Sequence, residues 1–211
     1  MSNMQLDTLR RIVQEINASV SLHDSLDIMV NHVAEAMHVD VCSIYLLDER
    51  NKRYVLMASK GLKPEAVGHV SLNVGEGLVG LVGKREEIVN LDNAPKHERF
   101  AYLPETGEEL FNSFLGVPVM YRRKVMGVLV VQNQEPQDFS EAAESFLVTL
   151  CAQLSGVIAH AHAVGNIDVF RKPTSGSSYK TFQGVSGAGG IALGRAIVLY
   201  PPADLAAIPD R

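Results

Sequence analysis

Residues 75–94 have the sequence GEGLVGLVGKREEIVNLDNA, which opens with three glycines spaced G-x-G-x-x-G. A dinucleotide-binding site has this spacing, but it also needs a long helix packed on a parallel sheet and a second parallel strand ending in an acid. Here Gly83 interrupts the helix soon after it begins, and the flanking segments have the pattern of antiparallel hairpins. We therefore expect the glycines to make a sharp turn into a short helix, residues 78–84, and not an NAD site.

Two features of this short helix bear on ligand binding: its N-terminal end and its apolar surface. Gly75 and Gly77 allow the positive φ that a sharp turn requires. The helix start then offers N–H groups and the positive end of the helix dipole to an anion. Because Leu78 and Val79 make the helix apolar, we expect it to lie beside a sheet and to leave a cavity with a small anion site. The alternative is that the helix only fills the core.

Working outward, the periodicity predicts an α+β domain: two helices, a mostly antiparallel sheet of about six strands and a long closing helix. The N-terminal residues carry an apolar helix stripe, and Ser21 is the predicted N-cap of the second helix. Residues 92–109 form a long polar loop, typical of a binding lid. The predicted strands and the last helix are residues 41–48, 54–60, 69–74, 87–91, 113–121, 125–132 and 141 to about 164.

Composition excludes several classes of function. The chain has 19 Lys and Arg against 24 Asp and Glu, a formal charge of −5, which disfavours general nucleic-acid binding. It shows neither a signal peptide nor a continuous apolar run long enough to span a membrane. Cys42 and Cys151 lie far apart in apolar segments, so we expect buried free thiols in a reducing cytoplasm.

Two helix stripes predict self-association. The last helix carries apolar residues spaced three, four, three, as in a heptad seam, and the first helix shows the same stagger. We expect these two helices to pack together and to pair with a second copy across a two-fold axis. The alternative is that both stripes cover the back of the sheet. The predicted interface residues are Leu6, Leu9, Val13, Ile16, Leu147, Leu150, Leu154 and Val157.

The order of these motifs resembles a GAF domain over residues 4–165. The resemblance rests on the two helices, the hairpin, GEGLVG at 75–80, IVNLD at 88–92, SFLGVPV at 113–119 and GVLVVQ at 127–132. It implies a six-stranded antiparallel sheet with the terminal helices on one face and the short helix and long loop on the other. It also implies a small-molecule pocket under the loop and dimerisation through the terminal helices.

Residues 166–181 have linker composition, and residues 182–211 resemble the truncated start of enzyme I of the phosphotransferase system through GVSGAGGIALGRA at 184–196. A GAF domain followed by this segment is similar to the nitrogen-branch enzyme I. That family uses Mg²⁺ and an active-site histidine to pass phosphate from phosphoenolpyruvate to a phosphocarrier protein. The resemblance places this histidine beyond residue 211. We therefore expect no catalytic residue, no cofactor and no independent activity in this chain.

The resemblance further implies a sensor of nitrogen status with glutamine or 2-oxoglutarate as its ligand. Arg99 is the preferred partner of a ligand carboxylate, and Asp92 could receive an ammonium group. Both could instead be solvated loop charges, and the aromatic residues could be ordinary core. The complete predicted ligand set is Tyr45, Gly77, Leu78, Val79, Asp92, Arg99, Phe100, Phe111 and Ser113.

Three rival functions remain open at this stage. The first is a cyclic-nucleotide-binding GAF domain, although only scattered members of its residue set are present. The second is methionine sulfoxide reduction, for which Cys42 and Cys151 are the available thiols. The third is a structural dimerisation module with a filled core. A metal site is not expected, because the seven histidines form no H-x-x-x-H pair and no cluster with cysteine.

Overall fold

A six-stranded sheet is the centre of the fold in the computed structural model, which describes residues 3–101, 106 and 111–164, with side chains from residue 7 onward. The spatial order is β3-β2-β1-β6-β5-β4. Every neighbouring pair of strands is antiparallel, as the hairpin patterns predict. A dinucleotide-binding unit would have parallel strands. The strands are β1 Val41–Asp48, β2 Arg53–Lys60, β3 Ser71–Asn73, β4 Val89–Leu91, β5 Ser113–Tyr121 and β6 Lys124–Asn133.

In the described part of the chain, four α-helices accompany this sheet, and two of them have a serine as the N-cap. The Ser21 hydroxyl accepts a hydrogen bond from the Asp24 N–H, and the Ser140 hydroxyl accepts one from the Ala143 N–H, so each satisfies a free donor of the first helical turn. The predicted N-cap at Ser21 is therefore confirmed. The helices are α1 Asn3–Ala18, α2 Leu22–Met37, α3 Gly77–Arg85 and α4 Glu141–Ala163.

The two faces of the sheet are covered by different elements. On one face, α2 packs on β1 and β2, and α4 packs on β5. On the other face, α3 packs on β5 and β6. Each face has its own cluster of buried apolar side chains, so the predicted arrangement of the α+β fold is confirmed.

The heptad stripe of α4 is buried within a single chain. We call the buried cluster between the sheet and helices α1, α2 and α4 the helix-side core. Leu147, Leu150 and Leu154 are 0% exposed within it, and Val157 is half-buried against it. Side chains already surrounded by their own chain offer no surface to a second copy. The structure therefore contradicts the interface predicted for the three leucines and agrees with the alternative, in which the stripe covers the sheet.

The stripe of α1 packs on α2 and not chiefly on α4 as predicted. Ile16 is buried in the helix-side core, while Leu9 and Val13 are half-buried. Ile12, which was not among the predicted interface residues, is buried there as well. The Leu6 side chain lies outside the described residues. So do residues 165–211, including the predicted linker and second domain.

Helix α4 is long and apolar enough to cross a membrane by length and composition, and it is the one such helix within the described residues. An 18-residue window of α4 has a mean hydropathy of 1.5, and 39% of that window is buried. A buried core helix passes the same test. Because the leucines of α4 lie in the core against β5, we interpret it as a core helix.

Candidate functional site

The start of α3 is shaped by three glycines. Gly75 and Gly77 have φ of 86° and 63°, in the left-handed region that favours glycine. A Cβ on Gly80 would lie 2.8 Å from the backbone of Gly75, so this glycine lets the first turn of the helix fold tightly against the loop before it. Gly75 and Gly77 thus make the sharp turn that the sequence predicts, and Gly80 adds a close backbone approach that it does not.

The loop before α3 is fixed by Glu76, the N-cap residue of the helix. One oxygen of its carboxylate accepts hydrogen bonds from the Asn73 backbone N–H at 2.9 Å and from the Asn73 side-chain amide at 2.7 Å. This pairing ties the carboxylate to the end of β3. The pair was missed in the sequence, where its signal is an Asn three residues before a Glu at a helix start.

Arg99 comes back to the same place from the long loop. Its guanidinium Nη1 lies 3.5 Å from the Gly75 carbonyl oxygen, and the side chain is exposed. The Arg99 backbone N–H donates to His97 Nδ1 at 3.1 Å, which fixes the chain just before the arginine. A cation therefore lies beside the positive end of α3, a combination suited to an anionic group.

Phe100 and Ala101 complete this contact between the loop and α3. Both are half-buried against the core on the α3 side of the sheet. A Cβ on Gly77 would lie 3.3 Å from the Ala101 Cβ, so the loop passes directly over the helix start. Phe100 is in the predicted ligand set, whereas Ala101 and His97 are not, because their roles depend on the path of the loop.

Four residues of the predicted ligand set lie in the core below this point. Tyr45 is 1% exposed, and Leu78, Val79 and Phe111 are also buried in the cluster on the α3 side. Their burial agrees with the alternative of ordinary core packing. They belong to the same cluster as the half-buried Phe100 and Ala101.

The expected hollow between α3 and the sheet is filled. A Cβ on Gly83 would overlap the Tyr54 hydroxyl, and one on Gly116 would lie 2.7 Å from Val82 and 2.8 Å from the Phe114 ring. At both positions a side chain fills the space between the helix and the strands: Tyr54 at Gly83 and Val82 at Gly116. The expectation of a cavity at this interface was wrong for the middle of α3, and the exposed residues of the candidate site are Glu76 and Arg99, which flank the buried helix start.

Two described cavities lie elsewhere. One, of about 560 Å³, is an open groove between the middle of α1, the end of α2 and the segment that leads into α4, and its lining includes Arg11, Glu35 and Asp138. The other, of about 410 Å³, is a mostly apolar groove beside β5 and α4. Neither contains a residue of the predicted ligand set.

Ser113 and Asp92 are not brought to the helix start. The alternation along β5 puts Ser113 on the same face as Leu115 and Val117, which lie in the helix-side core. The Ser113 hydroxyl donates to the Glu135 carbonyl at 3.1 Å. Asp92 is exposed after β4, and no described hydrogen bond or ion pair joins it to Arg99.

The two cysteines are buried, as predicted. Burial raises the pKa of the Cys42 thiol well above its ordinary value, with a smaller contribution from Cys151, and burial likewise raises the pKa of Cys151. Because a reductase needs an accessible thiolate, this environment disfavours the methionine sulfoxide alternative. Across residues 3–101, 106 and 111–164, no three His, Cys, Asp or Glu side chains are placed to hold a metal ion.

Comparisons with known proteins agree with the geometry. The GAF domain profile matches residues 21–158. A Salmonella typhimurium protein described as "Phosphoenolpyruvate-dependent phosphotransferase system" is 41% identical over 167 residues, which make up 79% of this chain and 22% of the relative. The chain thus spans about a fifth of the length of this curated relative.

Two solved structures are similar over the same region. The GAF domain of an Acinetobacter phosphoenolpyruvate-protein phosphotransferase is 84% identical with a TM-score of 0.72, covering 79% of this chain and 99% of that one. The GAF domain of a Coxiella burnetii phosphoenolpyruvate-protein phosphotransferase is 44% identical with a TM-score of 0.75, covering 78% and 99%.

Proposed function

Because the chain belongs to the GAF family and matches the GAF domains of phosphoenolpyruvate–protein phosphotransferases, we propose that it is a regulatory domain that binds a small acidic metabolite. The ligand then controls phosphoryl transfer from phosphoenolpyruvate to a phosphocarrier protein by a longer polypeptide. That polypeptide would act in the cytoplasm in nitrogen regulation, as a kinase that requires Mg²⁺.

The observation that supports this proposal is the position of Arg99 beside the start of α3. A carboxylate placed there would accept charge-assisted hydrogen bonds from the Arg99 guanidinium. It would also accept hydrogen bonds from the unpaired backbone N–H groups of the first turn of α3. Glutamine and 2-oxoglutarate each carry an α-carboxylate of the required size. Phe100 and Ala101 would shield the pair from water on the loop side.

A thermal-shift screen of the chain tests this proposal. Glutamine, 2-oxoglutarate, cyclic nucleotides and phosphoenolpyruvate are compared at saturating concentration. A ligand at about 100 times its Kd stabilises the fold by about 2.7 kcal/mol, which raises the melting temperature by about 5–10 °C. We expect glutamine or 2-oxoglutarate to produce this shift, whereas a shift from cyclic nucleotides alone would favour the rival GAF class.

A variant pair locates the binding. Arg99→Gln removes the guanidinium at the start of α3, and Arg85→Gln removes an exposed guanidinium from its other end. A charge-assisted hydrogen bond contributes about 2 kcal/mol to the free energy of binding, so its loss weakens binding about 30-fold. We expect this loss for Arg99→Gln only. Equal affinity of the two variants would remove Arg99 from the site.

A second candidate function, a structural dimerisation module, is favoured by the outer face of α4. From residue 145 to residue 163 this helix contains no Asp, Glu, Lys or Arg. Its exposed residues include Val148, 44% exposed, Ala152 and Gly156, around which a Cβ would meet nothing within 4 Å. Small uncharged residues allow two helices to approach closely, so a homodimer would use this face and not the buried leucines.

Ala152→Glu tests the dimer, with Gln153→Glu as a control of equal charge beside the stripe. Burying an unpaired carboxylate in a helix–helix contact opposes association strongly. We expect the native chain and the control to sediment as dimers and Ala152→Glu as a monomer. A native chain that is monomeric at micromolar concentration would end this proposal.

A further inference from the structure

The two hairpin turns at one end of the sheet carry a cluster of basic side chains. The turn between β1 and β2 and the turn between β5 and β6 are neighbours, because β1 and β6 pair with Leu46 opposite Gly127. All the basic side chains of the cluster are exposed. We name this surface the basic end; it consists of Arg50, Lys52, Arg53, Arg122, Arg123 and Lys124.

The charge of the basic end is largely uncompensated. Arg53 is the one member with an ion pair in the described part of the chain, a 3.5 Å contact between its Nε and the Asp48 carboxylate. The remaining acid of these turns is the exposed Glu49. This concentration of cations occurs in a chain whose formal charge is −5, so it is a local feature and not a consequence of overall composition.

The backbone of the turns gives an independent observation. Arg122 and Arg123 have φ of 47° and 65°, and Lys52 has φ of 54°. A two-residue hairpin turn with positive φ at both positions strongly prefers Asn-Gly, because an L side chain is strained there. Arginine at both positions therefore brings the hairpin no structural advantage. The Arg122 guanidinium lies 5.3 Å from the centre of the Tyr121 ring, which orders it at the surface.

We propose that the basic end docks an extended acidic segment of a partner protein. The cations are spread across the ends of four adjacent strands, about 15 Å at a strand spacing of about 4.8 Å. That length exceeds one phosphate or carboxylate and fits about four or five residues of extended chain. Arginine forks match carboxylates bidentately. The acidic remainder of the domain repels a long polyanion such as DNA, so a short acidic segment fits better.

The test uses a fluorescent peptide of about eight glutamates, long enough to cross the row. Binding to the 211-residue chain is followed by anisotropy at about 50 and 200 mM salt. The variant Arg122→Asn with Arg123→Gly removes two cations and installs the preferred turn residues, so it should melt at the same temperature or higher. The control, Lys60→Gln with Lys96→Gln, removes two exposed cations elsewhere.

We expect the Kd of the turn variant for the peptide to be about 10-fold higher than that of the native chain. The Kd of the control variant should change by less than about 2-fold. Lys52→Asn, in the other turn, should weaken binding as well. Equal effects of both double variants, or no binding to the native chain, would overturn the proposal. So would tighter binding of duplex DNA or phosphatidylserine vesicles with the same dependence on Arg122 and Arg123.

Discussion

Asp48 determines the conformation of the turn between β1 and β2. Its carboxylate accepts hydrogen bonds from the backbone N–H groups of Arg50 and Asn51 and, at 2.7 Å, from the Asn51 side chain. Burial alone would raise the pKa of this carboxyl, but the hydrogen bonds from Asn51 and the nearby Arg53 outweigh burial and lower it. The charged form is therefore the one that stabilises the turn.

Replacement of Asp48 makes stability depend differently on pH. Because the folded-state pKa lies below the unfolded value of about 3.9, the stabilisation is present above about pH 4 and is lost as the pH falls through the folded pKa. We expect Asp48→Asn to lower the free energy of unfolding by roughly 1 kcal/mol at pH 7 and by much less at pH 3.

Urea denaturation at the two pH values measures this difference. Glu49→Gln, an exposed carboxylate of the same turn, is the control and should have little effect at either pH. A loss for Asp48→Asn that is equally large at pH 3 would contradict a role for the charge.

At the scale of elements, α3 shows how a helix is seated on a sheet by its glycines. Gly83 faces Tyr54 of β2, and Gly116 of β5 lies under Val82. Gly83 leaves room for the Tyr54 side chain against the backbone of α3, and Gly116 leaves room for the Val82 side chain against β5. The close contact removes the space in which a cavity was expected.

Gly83→Ala tests this seating. Its new Cβ would meet the Tyr54 hydroxyl and ring, and overpacking of this kind lowers the free energy of unfolding by about 2 kcal/mol. Tyr54→Phe in the same chain removes the nearest atom and should recover part of the loss. Gly156→Ala, where a Cβ meets nothing within 4 Å, should raise stability by up to about 1 kcal/mol. Similar denaturation midpoints for Gly83→Ala and Gly156→Ala would show that α3 is loosely packed.

The strands and helices could be predicted because their patterns are local. The short apolar runs of residues 41–48 and 113–121, each bounded by polar residues, predicted the bounds of β1 and β5 to the residue, and the Ser21 cap predicted the start of α2. The filled space under α3 could not be predicted, since it depends on which strand residues face Gly83. For the same reason, Ser113 was assigned to the ligand although the register of β5 turns it to the other face.

At the scale of the whole molecule, the sheet separates two functions. The helix layer buries the stripes of α1, α2 and α4 and provides the stable core. The opposite layer exposes Glu76 and Arg99 beside the buried first turn of α3, and we propose that a ligand binds there without disturbing the helix-side core. A heptad seam could not distinguish burial against a sheet from pairing with a second copy, because both need the same apolar spacing.

The most direct measurement is an NMR titration of the ¹⁵N-labelled chain with 2-oxoglutarate and, separately, glutamine. We expect one of the two to shift chiefly the backbone amides of residues 77–79 and the Arg99 side-chain N–H, because these donors would meet the ligand carboxylate at the start of α3. No shift from either compound, or shifts confined to the groove between α1, α2 and α4, would contradict a metabolite site at this helix start.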